Sequence, residues 1–325
     1  MMEERILLTG VTGFIGRNVA RALLAEKHQL TALVRPSTPM SRLGDLAEQV
    51  RLVHIGLDDM VSLKEYLNLH HFKAIVHIGA LRGGRKADRH TYELTNVQAT
   101  EQLALNALHN HSRFIFCSSV GVFGAIPCEL PACDATPRKH DSLYHDTKIH
   151  AEAIVQHLVL DGLDAMIVRP AITYGSGDDG FPNTLIHLVA KHMMYLPNRP
   201  VRIHLTNVNL LTRAFTRLVE AEPHPGRAYI VADPEPVSLH ELCDAIHKRL
   251  HGTPFPASHI VEGRWFDMGA AVARKLHKDT WTARFELISK HWFYDVADAY
   301  RDLKLPHHKT MNEFMSLVDE YKRKH

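Results

Sequence analysis

Through the first 170 positions, short unbroken apolar runs alternate with stretches that repeat apolar residues at helical spacing. The runs are Ile6-Leu7-Leu8, Leu30-Thr31-Ala32-Leu33-Val34, Val50-Arg51-Leu52-Val53-His54, Ala74-Ile75-Val76-His77-Ile78, Phe114-Ile115-Phe116-Cys117 and Ala165-Met166-Ile167-Val168-Arg169. Their length and β-branched content predict six strands. The stretches near 15–26, 60–68, 90–110 and 145–161 predict the helices between them. Strand–helix alternation implies right-handed crossovers, hence an α/β fold with a parallel sheet and helices on both faces. Ligands of such a sheet bind beyond the carboxyl ends of its strands.

After Arg169 the pattern loosens. Gly175-Ser176-Gly177-Asp178-Asp179-Gly180 predicts a loop, and the stretches near 181–194 and 207–220 predict helices. Ala228-Tyr229-Ile230-Val231 predicts a strand that returns to the sheet, ended by Asp233-Pro234-Glu235-Pro236. Ser238 caps a following helix, with Glu241 three residues on as a capping box. Trp265, Trp281 and Trp292 all fall in this last part, which is expected to form a lid over the sheet's carboxyl edge.

The first strand leads into Gly10-Val11-Thr12-Gly13-Phe14-Ile15-Gly16 and then directly into a helical pattern. In that context a glycine motif reads as a phosphate site. Gly10 permits a tight turn, Gly13 lets a pyrophosphate approach the backbone, and Gly16 lets the helix pack close to the sheet. The helix start presents free N–H groups and a partial positive charge. Residues 1–175 are therefore expected to form a Rossmann-type, doubly wound dinucleotide-binding domain, rejoined by about 205–232. Residues 176–204 and 233–325 are expected to form a smaller mixed substrate-binding lobe.

Composition narrows the partners. The 325 residues carry a formal net charge of +2, with 45% hydrophobic and 23% charged content. Nothing in that balance calls for nucleic acid or a membrane, and no apolar stretch is long enough to span a bilayer. Acids near the N-terminus stand where a signal peptide carries basic residues, so a cytoplasmic protein is expected. Cys117, Cys128, Cys133 and Cys243 form no CxxC pair, so reduced thiols are expected. His247 and His251 are four apart on a predicted helix, a spacing that can hold a metal. No third ligand is evident and HExxH is absent, so no metal is assigned and surface histidines are the expectation.

Tyr144-His145-Asp146-Thr147-Lys148 carries the sharpest catalytic signal. Tyr144 and Lys148 lie one helical turn apart on one face. A phenol has a reference pKa of about 10, and an adjacent ammonium lowers it. Tyr144 can then exchange a proton with a substrate hydroxyl or carbonyl while hydride moves to or from nicotinamide C4. Lys148 can also hold the nicotinamide ribose.

The spacing Gly-x-x-Gly-x-x-Gly, together with Tyr-x-x-x-Lys, resembles the extended, epimerase/dehydratase-like branch of the short-chain dehydrogenase/reductases. Phe116-Cys117-Ser118-Ser119-Val120-Gly121-Val122-Phe123-Gly124 is similar to that family's Ser-Ser-x-x-x-Tyr-Gly, with Phe123 in the tyrosine place. The resemblance implies that Ser119 polarises the substrate oxygen and Ser118 lines the cofactor; the reverse assignment stays open. It also implies cofactor contacts from Gly10, Thr12, Gly13, Phe14, Ile15, Gly16, Tyr144 and Lys148. Gly56-Leu57-Asp58-Asp59 resembles an adenine-binding turn, with Asp58 as the acid. His77-Ile78-Gly79-Ala80 resembles the strand end where small residues, here Gly79 and Ala80, border the cofactor. Asn96 resembles the helix asparagine that supports the site; purely structural bonds are the equal alternative. Arg169-Pro170-Ala171-Ile172-Thr173-Tyr174-Gly175 resembles Arg-Pro-x-x-x-Tyr-Gly, whose backbone at Pro170 and Ile172 would border the carboxamide. Tyr294-Asp295-Val296-Ala297 through Leu303-Lys304-Leu305-Pro306 resembles the family's closing helix and loop. A homodimer through the 90–110 and 145–161 helices is a further implication.

Cofactor choice rests on the end of the second strand. Val34-Arg35-Pro36 carries no acid to accept bonds from the ribose hydroxyls. Arg35 can pair with a 2′-phosphate and Ser37 can donate to it, which favours NADP(H) over NAD(H). The alternative is that Arg35 is solvated or stacks on adenine with either cofactor. Sugar-nucleotide epimerases carry an asparagine where this chain has Ala171-Ile172-Thr173, and His-Val-Asp-Asp where it has Ile203-His204-Leu205-Thr206-Asn207. That departure points toward ketone-reductase or steroid-dehydrogenase-like members. Arg82, Arg85 and Lys86, and similarly Arg199 and Arg202, are candidates for an anionic substrate, with a solvated basic loop as the alternative. Thr173 is a further substrate candidate. The expected function is hydride transfer at a secondary alcohol or carbonyl of a small molecule. An epimerase or dehydratase with a retained cofactor, or a non-catalytic NADP(H) sensor, are the alternatives.

Overall fold

The structure is a computed structural model that describes residues 3–84 and 86–325. The chain runs β1 (Glu3–Thr9), α1 (Phe14–Ala25), β2 (Leu30–Val34), α2 (Leu46–Gln49), β3 (Arg51–His54), α3 (Met60–Leu69) and β4 (Phe72–His77). It continues through α4 (Arg89–Glu93), a π-helical turn (Leu94–Gln98), α5 (Ala99–His109), β5 (Arg113–Cys117), α6 (Leu143–Leu160) and β6 (Ala165–Pro170). Next come β7 (Ile172–Tyr174), α7 (Phe181–Ala190), β8 (Leu196–Pro197), β9 (Arg202–Ile203), β10 (Leu205–Asn207), α8 (Val208–Glu220) and β11 (Ala228–Val231). The last part holds β12 (Val237–Ser238), α9 (Leu239–His251), β13 (Ile260–Val261), α10 (Gly263–Lys275), α11 (Asp279–Ser289), α12 (Ala297–Leu303) and α13 (Thr310–Lys324).

Seven strands form one sheet in the order β3-β2-β1-β4-β5-β6-β11, and every pairing is parallel. The apolar runs of β1, β2, β5 and β6 are unbroken because these inner strands are buried on both faces, whereas the edge strand β3 is partly exposed. In β1, Ile6 and Leu8 join the core under α1 and α8, while Leu7 joins the opposite core under α3, α5 and α6. β5 divides in the same way, Ile115 and Cys117 to one side, Phe114 and Phe116 to the other. Each such side chain contributes roughly 1.5–3 kcal/mol by leaving water. The strand near 228 does return to the sheet, against β6.

The chain winds outward from β1 to β3, then crosses back to β4 on the other side of β1. The crevice opens where that direction reverses. A third core, including Leu185, Ile186, Leu242, Ile246, Trp292 and Phe314, belongs to the second lobe with its two-stranded sheets. Only Trp292 of the three tryptophans is buried there. Trp265 and Trp281 are more than half exposed, on the helix pair α10 and α11. Among the described residues no helix is long and apolar enough to cross a membrane.

Candidate active site

The site starts at the turn from β1 into α1. Gly10 has a φ of 79°, and a Cβ on it would stand 2.7 Å from the Gly79 backbone nitrogen. The carboxyl ends of the two central strands therefore touch at the switch point. A Cβ on Gly16 would lie 2.1 Å from the Gly10 carbonyl oxygen, so the helix can pack here only without a side chain. Gly13 caps α1 with no side-chain hydrogen bond, and the first turn contains no acid. The N–H groups of Phe14, Ile15 and Gly16 thus begin the helix without intrahelical partners, beside the half-buried Thr12. An uncapped, acid-free helix start at a sheet crevice fits a phosphate anion.

The neighbouring strand ends add two charges. Arg35 follows β2 and is exposed. A Cβ on Gly56 would lie 2.4 Å from Asp58 Oδ1 and 3.9 Å from Arg35 Cγ, so these two side chains share one corner. Asp59 is taken up in capping α3: it accepts from the Ser62 N–H at 3.1 Å and the Ser62 hydroxyl at 2.6 Å. Asp58 is therefore the open carboxylate of the pair. Gly79 is buried, with Ala80 half-buried beside it, and a Cβ on Gly79 would meet Leu57 Cδ1 at 2.8 Å.

Sequence reasoning missed a buried relay behind this corner. His77 Nδ1 lies 2.7 Å from Thr9 Oγ1, and Nε2 lies 2.9 Å from Thr100 Oγ1. Thr100 donates its proton to the Asn96 carbonyl at 2.7 Å, so His77 Nε2–H donates to Thr100. Thr9 then donates to Nδ1 and accepts from the Gly79 N–H at 2.9 Å. Burial, with the Lys148 charge, lowers the His77 pKa to about 3, so the ring is a neutral spacer that fixes Gly79. A threonine closing β1 and a histidine closing β4 are the only sequence trace of it.

Asn96 is 1% exposed. Its Oδ1 accepts from the Leu81 N–H at 2.7 Å, and its Nδ2 donates to the Leu81 carbonyl and the Thr147 hydroxyl, both at 3.0 Å. The π-helical turn aims its side chain to tie the loop after β4 to α6.

The candidate reacting groups converge at the start of α6, where Ser142 caps by accepting from the His145 N–H at 3.2 Å. The Ser119 hydroxyl accepts from the Gly121 N–H at 3.0 Å and lies near enough to the Tyr144 phenol to lower its pKa. Burial pushes the phenol above its ordinary pKa and Cys117 adds to that; the Ser119 hydroxyl and the Arg82 charge pull it down. The Lys148 ammonium donates to the Cys117 carbonyl at 2.8 Å, 4.6 Å from the Phe116 ring centroid. Burial lowers its pKa to about 8, against the Cys117 and Glu152 charges. The Ser118 hydroxyl is buried with no partner among the described residues, a cost of about 1–3 kcal/mol that a bound group would relieve. His145 was also missed: its Nδ1 bonds the Asp141 carboxylate, and a Cβ on Gly121 would lie 2.5 Å from its Nε2. The signal was an acid four residues ahead of a histidine.

Arg169 is buried and held bidentately by Glu152 at 2.8 and 2.7 Å, with a third bond to Asp134 at 2.5 Å. That locks β6 to α6 and sets Pro170, which is buried, and Ile172 and Thr173, which are half-buried. The Thr173 hydroxyl donates to the Ala171 carbonyl at 3.2 Å. Phe123 is fully buried, its ring 4.9 Å from the Arg138 guanidinium and 5.5 Å from that of Arg169. Arg82 is exposed and faces Asp179 at 3.5 Å, and a Cβ on Gly83 would stand 3.6 Å from Tyr144 Cβ. The loop after β4 therefore folds over Tyr144 and meets the 175–180 loop. Lys86 is exposed, and Arg85 lies outside the described residues. Arg199 is paired with Asp267 at 2.9 and 2.7 Å, and Arg202 lies over the Phe293 ring at 5.1 Å.

The chain has known relatives. The family model for the NAD dependent epimerase/dehydratase family matches residues 6–207. The chain is 28% identical to a UDP-glucose 4-epimerase of Vibrio cholerae, over 78% of this chain and 80% of that one. It is 26% identical to a 2-alkyl-3-oxoalkanoate reductase of Stenotrophomonas maltophilia, over 92% and 93%. The fold also matches the Bordetella bronchiseptica enzyme WbmH, solved in complex with NAD+, with a TM-score of 0.77 at 20% identity over the full length of both chains. The glycine turn, Ser119, Tyr144 and Lys148 all lie inside the matched span, and the chain belongs to the NAD dependent epimerase/dehydratase family of enzymes.

Proposed function

We propose that this enzyme transfers hydride between a nicotinamide dinucleotide and a secondary alcohol or carbonyl carbon of a small molecule, with NADPH-dependent reduction favoured. The observation that carries the reading is the meeting of Ser119, just past β5, with Tyr144 and Lys148, one turn apart on α6, where the Lys148 ammonium holds the Cys117 carbonyl at the end of β5. Bound at the α1 start, the dinucleotide would supply the hydride chemistry. Phe14, Ile15 and Gly16 would hold its pyrophosphate, Asp58 and Arg35 its adenosine half, and Ser118, Lys148, Pro170 and Ile172 its nicotinamide half. Ser119 orients the substrate oxygen, and Tyr144 gives or takes its proton. Arg82, at the opening, steers an anionic or polar substrate.

Arg35 supports NADP(H), since β2 ends without an acid and Arg35 stands free of ion pairs among the described residues. A net reductase is supported by the positions where nucleotide-sugar enzymes place polar contacts. His204 here is buried against the Asp233 carbonyl at 2.7 Å, and Asn207 caps α8. Exposed Leu105 on α5 and Leu160 on α6 support a homodimer through those helices.

The test is to denature the purified protein, identify any nucleotide released, and titrate stripped protein with NADPH and NADH. A site that releases nothing and fills preferentially with NADPH is expected. Retained stoichiometric NAD+ would instead favour internal redox, as in an epimerase or dehydratase. No binding of either would overturn the phosphate-site reading.

A further inference from the structure

His247 and His251 stand four apart on α9, and the fold supplies the third group that the sequence spacing lacked. His192 follows the end of α7 with a φ of 53°, the left-handed turn that ends many helices. That turn carries its ring onto the other two. Ring centroids are 4.5 Å apart for His192 and His251, 4.6 Å for His247 and His251, and 5.3 Å for His192 and His247. One ligating nitrogen from each lies within 4.8 Å of the others.

The central ring is already set as a ligand. His247 is 3% exposed, and its Nδ1 lies 2.7 Å from the Thr253 carbonyl oxygen. Only an N–H can make that bond, so the proton is on Nδ1. Nε2 is left as a bare lone pair, buried and without a partner among the described residues. Metal-bound imidazoles are held this way, the outer nitrogen donating to a carbonyl and the inner one free. Asp244 is engaged by Lys248 at 2.6 Å and by the Phe255 N–H at 3.0 Å, so the donor set is all nitrogen.

We infer that His192, His247 and His251 form a binding site for one divalent transition cation of the zinc class. Three imidazoles without a carboxylate select Zn2+, Co2+, Ni2+ or Cu2+ over Mg2+ and Ca2+. Tetrahedral bonds of about 2.0–2.1 Å place nitrogens roughly 3.3 Å apart. The exposed His192 and His251 rings can close that gap by rotating while His247 stays fixed. A fourth position faces solvent and takes water. The ion would clamp the end of α7 to the last turns of α9, in the second lobe and apart from Tyr144.

The test uses the full, tag-free chain stripped with a chelator and freed of it, titrated with Co2+ and followed by its visible absorption. One equivalent is expected to bind with a tetrahedral-type band, and Zn2+ is expected to displace it. Wild-type protein should melt at a higher temperature with Zn2+ than without. His192→Ala and His251→Ala, both at exposed positions, should each weaken binding by about tenfold or more and remove that melting shift, while melting like wild type without metal. His224→Ala, an exposed histidine elsewhere, should change nothing. Absence of a saturable band, or one equivalent bound equally well by His192→Ala and His251→Ala, would overturn the site.

Discussion

Replacing Gly16 by alanine tests whether the turn at the sheet crevice is built for a dinucleotide. In a free helix the change would stabilise by about 0.8–1.0 kcal/mol. Here the new Cβ would stand 2.1 Å from the Gly10 carbonyl oxygen and 2.6 Å from its carbon. Ordinary contact begins near 3.4 Å, so helix and turn must part by 3.4 − 2.1, about 1.3 Å. The colliding atoms are backbone on both sides, so no side chain can swing away. Overpacking of this kind costs about 1–3 kcal/mol, which leaves a net destabilisation of up to about 2 kcal/mol. The larger effect falls on binding, because the displaced element is the helix start that faces the phosphates. A misplacement of about 1 Å costs on the order of a hundredfold, or about 2.7 kcal/mol of nucleotide affinity. Gly13→Ala is the paired control. Gly13 is exposed, and a Cβ there meets only the Gly10 carbonyl, at 3.2 Å. It should melt within a degree or two of wild type yet lose nucleotide affinity, because the methyl occupies the approach to the backbone. Calorimetric titration with NADPH and NADH, beside thermal melts, reads both quantities. A Gly16→Ala protein that binds nucleotide within about twofold of wild type would refute the reasoning.

Four further outcomes are expected. Tyr144→Phe should lower kcat by about 10²–10⁴ while nucleotide affinity stays within about twofold; single-turnover reduction of a model ketone reads it, and an unchanged rate removes Tyr144 from the chemistry. Arg82→Gln deletes a cation that favours the phenolate, so the Tyr144 pKa rises and the pH profile of alcohol oxidation moves to higher pH; an unmoved profile would show that Arg82 does not act on Tyr144. Arg35→Asp should lower the NADPH-to-NADH ratio of kcat/KM at least about tenfold, through loss of a charge-assisted bond of about 1.5–3 kcal/mol; a constant ratio returns Arg35 to a solvated role. Burial raises the Asp178 pKa from 3.8 to about 6. The folded state then binds the extra proton, and Asp178 costs stability as pH rises through that window. Asp178→Asn should match wild type near pH 3 and exceed it in urea melts above about pH 6.

Much of this enzyme is legible along the chain because its signals are local. A buried parallel strand must be apolar on both faces, so β1, β5 and β6 appear as unbroken runs. A phosphate-binding turn needs glycines at fixed steps within seven residues, and Tyr144 and Lys148 lie one turn apart on a single helix. Ser238 caps α9 by the same local logic, its hydroxyl accepting from the Glu241 N–H at 3.3 Å. The boundaries of α7 did not follow. The pattern to 194 overshoots, since the chain turns left-handed at His192, a conformation that no apolar spacing encodes.

Other features depended on packing between residues far apart in sequence. Arg82 acts on Tyr144 from 62 positions away, and Asn96 ties Leu81 to Thr147 across two elements. Arg169 is held by Glu152 and Asp134. Thr9, His77 and Thr100 meet only because β1, β4 and α5 pack together. His192 joins His247 and His251 because α7 packs against α9. By itself the sequence determined the layered fold, the glycine turn and the one-turn spacing of Tyr144 and Lys148, since covalent spacing alone sets those. Only the tertiary structure decided which charges face Tyr144, where Lys148 points and which histidines meet. Those outcomes depend on how deeply each group is desolvated and which polar partner lies within about 3 Å, and chain order specifies neither.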